Sequence, residues 1–314
     1  MEPRTINSLQ AGRGLAALAV ILTHSAATAE DFGWRFSGLR FLYFGRFGID
    51  FFFVLSGFII YCSTVGRDRS LKEYTLARFR RVYLPYWPIG ILTALAYVAS
   101  PQLRGSVESW SWLATLTLAP IDVRPALNVA WTLQHEILFY LLFGLFYYSR
   151  LLWLGLGVWA LALIANLPHL IFDPINLEFL FGIAACLAYS HGRAHWGLLL
   201  LAPLAAAAAW LTKSEIVLGV MFALIIAPVA QLERARHFTV GRPLILLGAA
   251  SYSLYLAHLP VVSVVSRIAS NGVSILALSV LASVIVGFAY HYAIEVRVVA
   301  KRWNPEVAAK PVVN

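Results

Sequence analysis

Apolar stretches close to the length of a membrane span recur along the whole chain and are separated by short polar connections. Because about 20 apolar residues of α-helix cross the roughly 30 Å hydrocarbon core of a bilayer, each stretch predicts a transmembrane helix. We predict about ten such spans on this length criterion. They run over Leu9 to Thr28, Phe47 to Ser63, Val82 to Ser100, Asn128 to Tyr148, Leu151 to Leu167, Ile175 to Ser190, Trp196 to Leu211, Glu215 to Gln231, Leu244 to Val265 and Val273 to Val296. The predicted fold class is an all-α, polytopic transmembrane helical bundle.

The composition agrees with this pattern. Hydrophobic residues make up 60% of the 314 residues and charged residues 12%, against roughly 25% charged residues in soluble domains. No polar stretch is long enough for a soluble domain, so we expect one membrane domain over residues 1–314 without an appended domain. Ala27 to Ala29 match a signal-peptidase site, but the first apolar run is long, contains Arg13 and precedes many further spans, which favours an uncleaved helix.

The basic residues are distributed unevenly over the connections of this chain, whose net charge is +9. If the N-terminus is cytoplasmic, most Lys and Arg residues fall on the cytoplasmic side, as the positive-inside rule requires. We therefore predict a multi-pass protein with both termini in the cytoplasm. Topology accounts for the positive charge, so we expect membrane lipids as partners and no nucleic acid.

The two cysteines, Cys62 and Cys186, lie in apolar runs that are far apart in the sequence. Free cysteine behaves as a small hydrophobic residue in such surroundings. We therefore interpret both as core residues and expect neither a disulfide nor a metal site.

Two ionisable residues, Arg13 and His24, stand in the first apolar run. Eleven helical steps of about 100° place them on the same helix face, roughly 16 Å apart. Ionisable residues in a span normally face the bundle interior or water and indicate function. Gly12 and Gly14 flank the arginine and permit close approach of another helix. In the alternative interpretation, Arg13 reaches the inner membrane surface and His24 reaches the outer one.

Asp50 stands near the outer end of the second predicted span, where we expect it to match the depth of His24. A carboxylate beside one imidazole nitrogen fixes the tautomer and leaves the other nitrogen as a base. The pair is therefore a candidate catalytic dyad. Alternatively, Asp50 caps its helix, where exposed N–H groups favour a carboxylate; the two roles are compatible.

The fourth predicted span contains WTLQHEILFY, in which Thr132, Glu136 and Tyr140 follow i, i+4, i+8 spacing and share a helix face. His135 points about 100° away from that face. Glu136 is a candidate catalytic carboxylate near the middle of the membrane. A structural hydrogen bond between helices is the alternative for Glu136.

Polar residues also stand in the outer halves of two later spans. Asn176 and Glu178 begin the sixth predicted span, and His258 lies late in the ninth, within SYSLYLAHLP. We expect these three residues to line a polar outer vestibule at the depth of His24. Each one taken alone is also interpretable as a satisfied residue at the membrane interface.

On the inner side, Arg78, Arg80 and Arg81 immediately precede the third predicted span. Arg78 and Arg81 share a helix face at i, i+3. Guanidinium groups suit phosphate oxygens, but such a cluster also contacts anionic lipid head groups and enforces topology. Glu295, at the end of the last span, is expected to pair with one of these cations.

Together these motifs resemble the acyltransferase 3 family of bacterial membrane proteins, which transfer acyl groups, often acetyl, to sugars of cell-surface glycans. The resemblance covers nearly the whole chain in six motifs that occur in the family's order. They are Arg13 with His24, GIDFFFVLSGFII, Arg78 to Arg81, WTLQHEILFY, SYSLYLAHLP and the region of Glu295. The chain departs from the commoner family pattern at Gln10-Ala11, at His135 and at Val296-Arg297.

The resemblance implies a protein of the bacterial inner membrane that uses acyl-CoA, usually acetyl-CoA, as a co-substrate and holds no permanent cofactor or metal. The implied acceptor is a hydroxyl of a glycan or a lipid-linked saccharide. The implied site residues are His24, Asp50 and Glu136 for catalysis, Arg13, Arg78, Arg80 and Arg81 for the donor, and Asn176, Glu178, Tyr252 and His258 for the acceptor.

Two other classes of function fit part of the pattern. Intramembrane His, Asp and Glu residues also suit the proton relay of a transporter or flippase for a glycan or lipid precursor. Such proteins often show inverted repeats, and the sequence shows no clear repeat. A non-catalytic scaffold in glycan assembly is the third alternative, and it predicts that removing the charge of His24 has no effect.

Overall fold

The computed structural model describes residues 6–33, 37–104, 109–165, 167–212 and 214–300. All regular secondary structure in these ranges is helical, which confirms the predicted all-α class. The helices are α1 (Asn7–Asp31), α2 (Gly48–Thr64), α3 (Leu71–Ala99), α4 (Trp112–Thr117), α5 (Trp131–Tyr148), α6 (Leu152–Ile164), α7 (Leu177–Ser190), α8 (Ala202–Thr212), α9 (Glu215–Arg234), α10 (Arg242–Ala249), α11 (Ser251–Ile268) and α12 (Gly272–Tyr290). A π-helical segment, His291–Ala300, continues α12. The topology prediction also used basic residues that lie outside the described ranges, namely Arg4, Arg35, Lys213, Lys301, Arg302 and Lys310.

Among the described residues, five helical segments are long and apolar enough to cross a membrane: Phe41–Thr64, Leu71–Ala99, Asn128–Tyr148, Ile216–Arg234 and Gly272–Arg297. A sixth span results if α10 and α11, which are bent by 64° at their junction, count as one. The other predicted spans coincide with helices, but the prediction of about ten full spans is not confirmed. Apolar composition does not reveal where a helix breaks, and α10 to α11 shows such a break.

The second span begins earlier than the sequence predicts. A 3-10 helix, Ser37–Phe47, leads into α2 and packs along α1. Thr23 Oγ1 donates a hydrogen bond to the carbonyl oxygen of Leu42 at 2.5 Å. A Cβ atom at Gly45 would lie only 2.0 Å from the carbonyl oxygen of Ala19, so glycine permits this close antiparallel packing. The chain therefore re-enters the bundle near Phe41 rather than at Phe47.

Helices α2 and α7 pack closely through glycine. A Cβ at Gly182 would lie 1.9 Å from the carbonyl oxygen of Val54, and one at Gly57 would lie 2.0 Å from that of Phe179. Cys62 and Cys186 lie further along the same pair of helices and form a disulfide, with Cα atoms 6.1 Å apart. The prediction of two separate core cysteines is therefore wrong, because the close α2–α7 packing brings distant positions of the sequence together.

Helix α1 lies in the centre of the bundle, and its glycines set its contact with α10. A Cβ at Gly14 would lie 2.7 Å from the backbone nitrogen of Gly248, which agrees with the predicted close helix approach there. Beyond this crossing, Ala17 and Ile21 pack against Ala250 and Leu254, and all four residues are fully buried. Helices α1 and α11 therefore run side by side in the same direction. We refer below to the end of the bundle where α1 begins as the N-terminal side and to the other end as the opposite side.

Candidate active site

A cavity of about 250 Å³ lies within the bundle between α2, α3, α5 and α11, with α1 on one side. We call it the arginine cavity. Its polar lining consists of Arg13, Ser56, Arg78, Arg81, Thr132, Glu136, Tyr140, Ser251, Tyr252 and Tyr255. The structure thus brings together candidate residues from the first, fourth and ninth predicted spans and from the segment just before the third.

Arg78 and Arg81 both line this cavity, so the predicted shared helix face is confirmed. The guanidinium carbon of Arg78 lies 5.8 Å from the ring centre of Tyr140, and that of Arg81 lies 5.8 Å from the ring centre of Tyr252. Arg80 is exposed and does not line the cavity. The predicted donor-binding cluster is therefore only partly gathered in the cavity, since two helical steps of about 100° turn Arg80 away from Arg78.

Arg13 also lines the arginine cavity, so the interpretation that it reaches the membrane surface is not supported. Its Nη1 donates to Gln10 Oε1 at 3.2 Å. Among the described lining residues, three arginines share the cavity with one carboxylate, Glu136. This excess of positive charge favours an anionic ligand.

Glu136 makes the hydrogen bond between helices that the sequence left as one alternative, and it also lines the cavity. Ser56 Oγ donates to its Oε1 at 3.3 Å, and the hydroxyl of Tyr140 donates to the same oxygen. The carboxylate thus joins α2 to α5 and still faces the cavity. Thr132 and Tyr140 line the cavity with it, which confirms the predicted shared face of α5.

Glu295 pairs with an arginine of the cavity, as the sequence predicts. Its Oε1 accepts a hydrogen bond from Arg81 Nη1 at 3.3 Å. Its Oε2 accepts from Ser253 Oγ at 2.9 Å and lies 2.8 Å from His291 Nδ1. The buried carboxylate, which does not itself line the cavity, therefore fixes the position of Arg81.

A pair of histidines lies on the opposite side of the arginine cavity. The ring centres of His24 and His258 are 5.2 Å apart, which agrees with the prediction that His258 lies at the depth of His24. His258 Nδ1 lies 2.6 Å from the carbonyl oxygen of Tyr255. Because a carbonyl only accepts, Nδ1 carries the hydrogen, and Nε2 is the acceptor nitrogen of the neutral ring. Nε2 is buried and has no hydrogen-bond partner among the described residues.

Asp50 does not lie at the depth of His24. It is two residues from Gly48, where a Cβ would lie 2.7 Å from the carbonyl oxygen of Ala16. Ala16 precedes His24 by eight residues, or about 12 Å of helix at 1.5 Å per residue. The predicted dyad is therefore corrected, and the reason is the early start of the second span at Phe41.

The predicted outer vestibule around His24 is also only partly correct. Asn176 accepts a hydrogen bond from His135 Nδ1 at 2.9 Å and donates one to the carbonyl oxygen of Leu170, so it belongs to a different site. Glu178 is fully buried at the contact of α7 with α9, where its Cγ would lie 2.8 Å from a Cβ added at Gly219. Tyr252, which the family resemblance implies for acceptor binding, lines the arginine cavity.

Tyr255 connects the cavity with the histidine pair, and the sequence analysis did not single it out. It lines the arginine cavity, its hydroxyl lies 2.9 Å from Thr132 Oγ1, and its ring centre lies 5.7 Å from that of His258. The i, i+3 spacing of Tyr255 and His258 is the feature of the sequence from which the position of Tyr255 could have been predicted. A ligand cannot pass directly along α1 from Arg13 to His24, because Ala17 and Ile21 are fully buried between them.

A family model described as an acyltransferase domain matches residues 6–292. The chain belongs to the acyltransferase 3 family. It is thus a membrane acyltransferase, which supports the enzyme over the transporter and scaffold alternatives. No solved structure matches the chain.

Two curated relatives agree with the family assignment. The exopolysaccharide production protein ExoZ of Rhizobium meliloti (strain 1021) is 29% identical over a region that covers 71% of this chain and 78% of ExoZ. The acyltransferase MdmB of Streptomyces mycarofaciens is 29% identical over 50% of this chain and 46% of MdmB. The match thus spans less than half the length of MdmB.

Proposed function

We propose that this acyltransferase moves an acetyl group from cytoplasmic acetyl-CoA to a hydroxyl of a cell-surface or exported carbohydrate, with His24 as the general base. The observation that carries the proposal is the arrangement of Arg13, Arg78 and Arg81 around one cavity that ends at Tyr255, beside the histidine pair. The name of the Rhizobium meliloti relative, an exopolysaccharide production protein, supports a polysaccharide acceptor.

The arginine cavity is assigned to the donor because guanidinium groups bind phosphate oxygens through paired hydrogen bonds. Arg78 Nε is buried and has no hydrogen-bond partner among the described residues, so its N–H is available to donate a hydrogen bond to a ligand. At about 250 Å³ the cavity is smaller than the roughly 300 to 1,000 Å³ of pockets that enclose drug-sized ligands. We therefore place the acetyl-bearing arm of CoA in the cavity, its phosphates at the arginines, and its adenosine at the cavity mouth on the N-terminal side.

In the proposed reaction, His24 takes the proton of the acceptor hydroxyl while the hydroxyl oxygen attacks the thioester carbonyl carbon. The carbon–sulfur bond breaks, and the departing CoA thiolate receives the proton back from the imidazolium. The products are an acetyl ester and CoA thiol. His258, whose ring centre lies 5.2 Å from that of His24, packs beside the base in place of the predicted Asp50.

Replacement of the base tests this assignment. General-base assistance contributes about 10² to 10⁴-fold to a rate, so His24→Ala should lower acetyl transfer by at least about 100-fold. The assay follows [14C]acetyl transfer by purified protein in proteoliposomes to the exported polysaccharide of the host bacterium. His195→Ala, at an exposed histidine of the N-terminal side, is the matched control. Wild-type activity in His24→Ala would overturn the assignment of the base.

The donor site is tested separately by equilibrium binding of acetyl-CoA. The double variant Arg78→Ala, Arg81→Ala should weaken binding, because it removes two of the three cavity arginines. Arg80→Ala removes an exposed arginine from the same stretch of helix and should leave the affinity unchanged. Equal affinity in the double variant and the control would assign the arginines to lipid and topology instead.

A further inference from the structure

A second cavity, of about 500 Å³, opens on the opposite side of the bundle and takes no part in the mechanism described above. We call it the basin. The first turns of α5 and the segments 121–124 and 167–174 form it. Trp131 provides an aromatic wall. The charged and imidazole side chains around it are those of Asp122, Arg124, His135, His169 and Asp173.

Specific hydrogen bonds hold the rim of this basin in place. The side-chain nitrogen of Gln134 lies 2.7, 3.2 and 3.1 Å from the carbonyl oxygens of Ala119, Ile121 and Val123. Asp122 accepts from the backbone N–H of Leu170 at 2.9 Å, and its second oxygen lies 3.4 Å from His169 Nε2. The two segments are thus joined to each other and to α5. A preformed site loses less conformational freedom when it binds a ligand.

His135 lines the basin, and its hydrogen bond to Asn176 fixes which of its ring nitrogens is the acceptor. Asn176 Nδ2 donates to the carbonyl oxygen of Leu170 at 3.0 Å, which identifies its Oδ1 as the atom 2.9 Å from His135 Nδ1. His135 Nδ1 is therefore the donor, and Nε2 is the acceptor nitrogen of the neutral ring. A buried histidine with a fixed tautomer can accept the hydrogen of a ligand hydroxyl.

The chemistry of the basin matches a polyhydroxylated ligand. Hydroxyl groups both donate and accept, and the lining offers carboxylate oxygens, a guanidinium and the second ring nitrogen of His135 around one aromatic face, while both ring nitrogens of His169 contact Ile171 and Asp122. Charges of both signs are present, so the lining does not select for an anion or a cation alone. Within the described residues, no group of three or more His, Cys, Asp or Glu could hold a metal ion. The volume falls within the roughly 300 to 1,000 Å³ of small-ligand pockets.

Only one layer of side chains separates this basin from the arginine cavity. Phe53 lines the arginine cavity, and its ring centre lies 5.9 Å from that of His135 and 6.5 Å from that of Trp131. On α5, Thr132 and Glu136 face the arginine cavity, whereas their neighbours Trp131 and His135 face the basin. A ligand in the basin therefore lies next to the end of the cavity where Thr132 meets Tyr255.

We propose that this basin binds a saccharide segment of the acceptor and presents its hydroxyl past Phe53 to the acetyl thioester. The inference rests on the proposed function, because it assigns the acceptor half of the same reaction. In this proposal Trp131, Asp122 and His135 determine the affinity for the acceptor, and His169 holds Asp122 in position. The arginine cavity determines the affinity for acetyl-CoA.

Steady-state kinetics in proteoliposomes test the assignment, with [14C]acetyl-CoA and the exported polysaccharide of the host bacterium varied in turn. Trp131→Ala and the double variant Asp122→Asn, His169→Ala should each raise the KM for polysaccharide at least tenfold and leave the KM for acetyl-CoA unchanged. Trp131→Phe, which keeps an aromatic side chain in the wall of the basin, should have a KM for polysaccharide closer to that of the wild type than to that of Trp131→Ala. Trp210→Ala and Asp31→Asn change exposed residues of the same side and are the matched controls.

An unchanged KM for polysaccharide in the basin variants would overturn the proposal, as would an equal rise in both KM values. Direct binding of fluorescently labelled polysaccharide separates this result from a failure of the proposed function. If the wild-type protein transfers no acetyl group but binds polysaccharide, and the basin variants lose that binding, only the proposed reaction fails. If the basin variants bind polysaccharide as tightly as the controls, the basin assignment fails.

Discussion

Gly248→Ala should destabilise the protein and weaken the donor site, because α1 and α10 cross at this residue. A Cβ there would lie 1.8 Å from the carbonyl oxygen of Gln10, whereas ordinary contact begins at 3.4 Å. The two backbones must therefore separate by about 1.6 Å, and overpacking of this kind typically costs about 1 to 3 kcal/mol. Gly14 lies at the same crossing, with no room for a compensating shift.

A loss of about 1 to 3 kcal/mol lowers the ratio of folded to unfolded protein by roughly 5- to 150-fold, since 1.4 kcal/mol corresponds to a factor of ten. Arg13 follows Gln10 by less than one helical turn, so the same shift should move its guanidinium and raise the Kd for acetyl-CoA. Denaturant unfolding in detergent micelles, followed by tryptophan fluorescence, measures the stability, and equilibrium binding measures the Kd.

Gly157→Ala is the matched control. Gly157 lies in α6 with no atom within 4 Å of an added Cβ, and alanine is favoured over glycine in a helix by up to about 1 kcal/mol in water. The control should therefore be as stable as the wild type or slightly more stable. If Gly248→Ala behaves like Gly157→Ala in both assays, the account of the α1–α10 crossing is refuted.

Two further predictions follow from buried contacts. Under non-reducing conditions the denatured wild-type protein should take up no maleimide, and after reduction it should take up two, because Cys62 and Cys186 are joined; labelling before reduction would contradict the disulfide. Glu295→Gln should cost about 1.5 to 3 kcal/mol of stability, the usual range for a hydrogen bond to a charged group. A double-mutant cycle with Arg81→Gln should show coupling between the two positions, and strict additivity would argue against their contact.

The sequence predicts relations within one helix well. Helical periodicity places Thr132, Glu136 and Tyr140 on one face and Arg78 and Arg81 on another, and the structure confirms both faces. These predictions hold because the angle between side chains on one helix depends only on the backbone geometry. The pairing of Glu295 with an arginine was also predictable, since a buried carboxylate requires a partner.

Several other contacts between helices could not be predicted, because they depend on how the helices pack. The depth of Asp50 depends on where the chain turns between the first two spans, and the 3-10 helix before α2 shifts that point. The contact of Asn176 with His135 and the disulfide depend on how α5, α2 and α7 pack, which hydropathy does not encode. Tyr255 was missed for a related reason, because its hydroxyl reaches Thr132 on another helix.

The proposed reaction requires that donor and acceptor approach from opposite sides of the membrane and meet near Tyr255. Proteoliposomes of uniform orientation test it directly, with [14C]acetyl-CoA on the N-terminal side of the protein and polysaccharide on the opposite side. We expect labelled acetyl ester on the polysaccharide across the sealed membrane, and no label when the two substrates are exchanged. Ester formation only when both substrates are on the same side would contradict the account.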